Sequence, residues 1–210
     1  MKRARIDEIE AIPVVGGALQ WRPVRRTLGV EAFGINAYTA DAGDLVVEEH
    51  DETGAGAGHH EELYVVMAGR ATFTVDGDTF DAPAGTMVFL DDPNERRGAR
   101  AVEDGTTVLA IGGVRGQPFR VSPWEFAFAG LPAYEAKRYD EAKELLEKGL
   151  EVHPGNTSLL YDLACVEALL GDREAAFEHL QQSVVNPRLL EHAQKDADLD
   201  SIRDDPRFPG

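Results

Sequence analysis

The chain has 210 residues, 43% of them hydrophobic, enough to bury a core without disulfide or metal staples. Its 38 acidic residues outnumber 21 basic ones for a formal charge of −17, which excludes nucleic acid as a natural partner because no basic surface could dominate that field. No stretch nears the roughly 18 apolar residues of a membrane span, and the opening MKRARIDEIEAIPVV has no long apolar run, so a soluble, cytoplasmic protein without a membrane partner is expected.

From Leu28 to about Phe119 the sequence falls into short runs rich in β-branched and aromatic residues: AFGINAYTA, DLVVEE, ELYVVMA, ATFTVDG, GTMVFL and TTVLAIGG. Gly, Asp and Pro separate them, and this spacing predicts an antiparallel sandwich or barrel. Asp76-Gly77 marks a two-residue hairpin, since both positions tolerate positive φ. ELYVVMA is apolar on both faces and belongs in the middle of the fold. Alternation along this strand puts His60, Glu62, Tyr64 and Val66 on one side. His50, Glu49 or Asp51 could approach from the neighbouring strand.

After Pro118 the period becomes helical. PAYEAKRYDEAKELLEKGLEVHPGN carries Leu145, Leu146 and Leu150 along one stripe and ends at Pro154-Gly155-Asn156. TSLLYDLACVEALLGD repeats the design, opened by a Thr or Ser cap and closed near Gly171. The two stretches match at an offset of 34 residues: Gly130 with Ala164, Ala142 with Ala176, Leu146 with Leu180. The expected organisation is a β domain over 1–118 and a helical domain over 119–210, with LLEHAQKDADLDSIRDDPRF capping the helices. Cys165 lies in an apolar helical pattern and reads as a buried, inert thiol in a reducing compartment. His153, His179 and His192 show no ligand spacing and are expected at the surface. KDADLDSIRDDP lacks the glycine and terminal glutamate of a calcium loop, so it reads as a solvated acidic face.

Two resemblances follow. Glu62, LYVVMA and Gly69, then Pro83, Gly85 and TMVFLDDP, resemble the two motifs of the cupin family, over about residues 28 to 115. This implies an RmlC-like, cupin-type antiparallel β-barrel, or jelly roll, which in that family brings three histidines and a glutamate onto one metal. The offset of 34, with Gly130, Tyr139, Ala142, Leu146 and Pro154 in place, resembles tetratricopeptide repeats (TPR), which implies a TPR-like array of helical hairpins and a protein partner. The departures from the cupin pattern are chemical. Counted back from Glu62, the early histidine positions fall on Gly56 and Gly58; counted forward from Gly43, they fall on Glu49 and Asp51. Counted from Gly85, the fourth ligand position is Arg96, a cation without a lone pair.

Three functions are therefore weighed. In the first, the metal site is degenerate, no cofactor is bound, and a small molecule is held by Tyr64, Arg96 and His60 while Arg97 points outward; in a purely structural variant Arg96 pairs with Glu62. In the second, a divalent zinc, iron or manganese ion on His60, Glu62 and His50, or a neighbouring carboxylate, acts as a Lewis acid in isomerase, lyase or dioxygenase chemistry. In the third, the barrel is a dimerisation platform with Phe73, Met87 and Phe89 among the side chains that set its lumen. A homodimer is the expectation that the cupin resemblance carries.

Overall fold

In the computed structural model, which describes residues 1–54 and 56–210, the chain divides between Val121 and Ser122 into a β unit and a helical unit. The strands are β1 (Ile12–Val14), β2 (Leu19–Arg22), β3 (Gly34–Ala40), β4 (Leu45–His50), β5 (Glu61–Ala68), β6 (Arg70–Val75), β7 (Asp78–Pro83), β8 (Met87–Leu90), β9 (Arg97–Ala101) and β10 (Thr106–Gly113), with a short helix α1 (Val24–Leu28) after β2. They form antiparallel sheets of six strands, β1-β2-β3-β10-β5-β8, and four, β4-β9-β6-β7. Alternating apolar residues of both sheets, including Tyr64, Val66 and Val108 from one and Val46, Phe73 and Ala99 from the other, fill the space between them.

The Asp76-Gly77 hairpin forms as its sequence requires, with φ of 48° and 92° at the two positions and Val75 facing Asp78. ELYVVMA lies within β5, flanked by β10 and β8. Of the residues expected to size the lumen, only Phe73 points inward; Met87 and Phe89 are exposed on the outer side of β8. One inner strand, β9, carries no strand-like signature at all. Its sequence RGARA lies between β4 and β6, where bulk is unwelcome: a side chain at Gly98 would come within 3.3 Å of the Glu49 Cα.

A second irregularity lies in β4. The pairing of β4 with β9 shifts register on both sides of Val47, and Val46 and Val47 are both buried. Such a bulge inverts the alternation beyond it. His50 therefore faces inward opposite Arg97, and Glu49 faces out.

The helical unit comprises α2 (Pro123–Glu135), α3 (Tyr139–Val152), α4 (Thr157–Leu170), α5 (Arg173–Ser183) and α6 (Pro187–Ala193). All six positions matched at the 34-residue offset are buried. On the α3 stripe Leu146 is buried and Leu145 and Leu150 are half-buried. The cap of α4 is Asn156, not Thr157 or Ser158: its side-chain oxygen accepts the Ser158 and Leu159 N–H groups, and Gly171 ends the helix at φ 83°. Ala193, Leu199 and Ile202 close the array by packing with Tyr161, Phe177 and Leu180. Among the described residues no helix is long and apolar enough to cross a membrane.

Candidate functional site

At one end of the β unit the inner faces of β4, β5 and β9 bring His50, Glu62, Tyr64 and Arg97 together, and the turn after β4 adds Glu52. The Tyr64 hydroxyl donates to Glu62 Oε2 at 2.5 Å. His50 Nδ1 lies 2.8 Å from the Glu48 carbonyl, which makes Nδ1 the protonated nitrogen and turns Nε2 toward two carboxylates, 3.6 Å from Glu52 Oε1 and 3.6 Å from Glu62 Oε2. Glu52 is buried, and its Oε2 accepts the N–H groups of Gly58 at 3.0 Å and His60 at 3.2 Å, which pins the glycine-rich turn. Arg97 is 0% exposed. Its Nε stands 3.7 Å from Glu62 Oε2, yet none of its three guanidinium nitrogens has a hydrogen-bond partner among the described residues.

Burial alone would raise the Glu62 pKa, but the approach of His50, the Tyr64 hydrogen bond and the charges of His50 and Arg97 outweigh it, and the carboxyl stays below its usual range. Burial would likewise lower His50, but Glu62, the Glu48 carbonyl and the charge of Glu52 raise it on balance. Burial and the charge of Glu62 push the Tyr64 phenol well up, so it remains a donor.

Two expected site residues lie elsewhere. Arg96, expected at the lumen, has a side chain 58% exposed and pairs with Glu49 at 2.6 Å on the surface, while Arg97, expected outside, is the enclosed one. The inner set of β9 is Arg97, Ala99 and Ala101, one place out of phase with the count from Gly85. His60 is buried but does not join Glu62; its ring packs 5.7 Å from that of Phe119. It precedes β5, and His59, at φ 55°, breaks the extended backbone over which alternation would hold. Glu52 and Arg97 are the residues that sequence reasoning missed. The spacing of His50 and Glu52, two apart, was a usable signal, but the bulge hid its direction.

Three donor atoms, one each from His50, Glu52 and Glu62, lie within 4.8 Å of one another. Separations of 3.6 Å are those of neighbouring ligands on one divalent ion, whose bonds run about 2.0–2.2 Å. The imidazole held at Nδ1 by a carbonyl has the orientation a metal-binding histidine needs. The donor set thus fits a divalent ion, while the Arg97 cation beside Glu62 opposes one.

In the helical unit the expectations for His179 and the acidic run are corrected, whereas Cys165 is the buried thiol expected. His179 Nδ1 lies 2.7 Å from Glu167, which is 1% exposed and also pairs with Lys143 at 2.9 Å. The acidic run is not simply a solvated face: Asp196 accepts from Tyr161 at 2.8 Å and Asp198 from Tyr134 at 2.6 Å. Cys165 is buried with its thiol pKa pushed up by burial and by Asp196 and Asp162, so it is no nucleophile at neutral pH.

Residues 133–185 match the family model described as tetratricopeptide repeat. No curated protein matches the chain. Solved structures similar to its N-terminal part include KdgF from Halomonas sp., 16% identical over 55% of this chain and 92% of that chain at a TM-score of 0.43. An RmlC-like cupin from Shewanella frigidimarina is 18% identical over 54% of this chain and 91% of that one at 0.42. A predicted oxalate decarboxylase from Thermotoga maritima is 18% identical over 53% and 97% at 0.42. The chain therefore joins an N-terminal part whose structural neighbours are cupin and RmlC-like proteins to a helical part that carries a tetratricopeptide repeat match.

Proposed function

We propose that the β unit binds a small organic anion at the cluster of His50, Glu52, Glu62, Tyr64 and Arg97, and that the helical unit docks a protein. The observation that carries the first part is the guanidinium of Arg97, enclosed and, among the described residues, without a hydrogen-bond partner. An unsatisfied buried donor costs free energy in the empty protein, and a planar carboxylate matches its fork. His50, whose side chain is 34% exposed and whose raised pKa favours the cationic form, adds a second positive charge beside the same carboxylates. Tyr64 and Glu62 then stand ready to bond a second polar group of the ligand. Calorimetric titration with acetate, oxalate, malonate, pyruvate and lactate tests this. At least one should bind the parent and not Arg97→Met; if none binds, or if the variant binds equally, the reading falls.

A second reading rests on the position of His50 Nε2, 3.6 Å from each of two carboxylate oxygens. His50, Glu52 and Glu62 would hold zinc, iron(II) or manganese, and the ion would supply Lewis acidity for isomerase, lyase or dioxygenase chemistry. Stoichiometric metal in protein purified without chelator, lost in His50→Ala, would establish it. A homodimer is part of the proposal: Met67, Met87 and Phe89, exposed at 49%, 69% and 57%, lie on β5 and the edge strand β8, an apolar surface that a second copy would cover. A cytosolic location is supported by the free thiol of Cys165.

A further inference from the structure

A groove of about 300 Å³ opens within the helical unit, between α2, α4 and the segment after α6. Its walls are apolar and aromatic, with Phe128, Leu131, Tyr134 and Tyr161 among them, and Asp162, Asp196 and Asp198 line it as well. Histidine is the one basic residue type in this lining, as His192, 3.5 Å from Asp196. The neighbouring Arg203 is committed to the carbonyls of Ala193 and Asp196 and to the Asp200 carboxylate. Asp162 makes no side-chain hydrogen bond or ion pair among the described residues, and burial together with Asp196 pushes its pKa up to about 7. The phenols of Tyr134 and Tyr161 and the thiol of Cys165 are shifted upward too. Burial is the largest cause of each shift and the neighbouring carboxylates add to it, so all of these groups are held in their less negative form.

We propose that this groove receives a lysine or arginine side chain from an extended segment of a partner protein, with the side chain's methylene stem along the aromatic wall and its charge at Asp162, Asp196 and Asp198. The proposal rests on the docking role given above to the helical unit and adds the chemistry of what docks. A long basic side chain has the same two-part character as the groove, apolar along its length and cationic at its tip, and tyrosine faces add attraction for the cation. A bare metal ion would leave the aromatic wall unused. The Cys165 thiol, the donor that would complete a metal site with Asp196 and Asp198, also holds its proton.

Fluorescence anisotropy on the full chain, at physiological salt, tests this with labelled peptides of alternating leucine and lysine, and with matched peptides in which norleucine or glutamate replaces lysine. Only the lysine peptide should bind. Asp162→Asn and Asp198→Asn should each weaken it roughly tenfold or more, whereas the exposed pair Glu144→Gln with Glu151→Gln should leave it within about twofold. Equal loss in groove and surface variants would reduce the effect to general charge attraction and overturn the proposal. Binding of the norleucine or glutamate peptide instead would overturn the chemistry but keep the docking role, and no binding by any peptide would remove both. A cobalt(II) thiolate absorption band that disappears in Cys165→Ser, with no competition from the lysine peptide, would assign the groove to a metal and overturn it as well.

Discussion

The β unit and the helical unit each gather carboxylates at a concave site, and the two sites treat them in opposite ways. At the barrel end Glu52 and Glu62 face an imidazole and a guanidinium, and the Glu62 pKa is held down. In the groove Asp162, Asp196 and Asp198 face hydroxyls and a single imidazole, and the Asp162 pKa is pushed up to about 7. Burial acts against ionisation in both places, so what differs is the cation opposite. A site that carries its own counter-charge holds its acids ionised; one that lacks it becomes a receptor for positive charge.

The contrast gives neutralising substitutions opposite signs. Glu62→Gln removes the one carboxylate within 4 Å of enclosed Arg97 among the described residues. A guanidinium keeps its charge, so this variant should lose about 3–5 kcal/mol of barrel stability in denaturant unfolding; an unchanged midpoint would mean that the two sites do not differ as described. Asp162→Asn should stabilise the helical unit. The folded pKa of about 7 lies above the ordinary 3.8, so the parent loses stability as pH rises through that window, whereas asparagine does not titrate. The gain should be near zero around pH 4 and reach about 1–3 kcal/mol above pH 7, and thermal melts across pH would expose a flat difference if Asp162 were ordinary. Asn156→Ala, which strips two N–H groups of their acceptor, should cost about 1 kcal/mol, while Thr157→Ala and Ser158→Ala cost less. Arg96→Ala, altering an exposed pair, should not shift the midpoint measurably.

Much of this was legible from residue order. The strands with β-branched alternation, the Asp76-Gly77 turn and the 34-residue helical offset are local or periodic signals, and the fold follows them. What escaped was parity. The inward direction of His50 depends on a bulge at Val47, and that of Arg97 on the phase of β9, whose small residues resemble a loop until Glu49 is seen packed over Gly98. His60 was misdirected for a related reason, since a single residue with positive φ uncouples it from the strand that follows. Glu62 and Tyr64 lie in uninterrupted alternation, and they face as the pattern requires.

The bulge in β4 also makes the chemistry of the barrel end a matter of counting. Deleting one residue there would restore plain alternation and exchange the inward pair, retiring His50 and Glu52 to the outside and bringing in Glu49 and Asp51. The site would lose its one titratable base and gain two carboxylates opposite Arg97 without a single side chain being replaced. Insertions and deletions in this strand therefore give the lineage a route to new ligand chemistry that point substitution would need several simultaneous steps to reach.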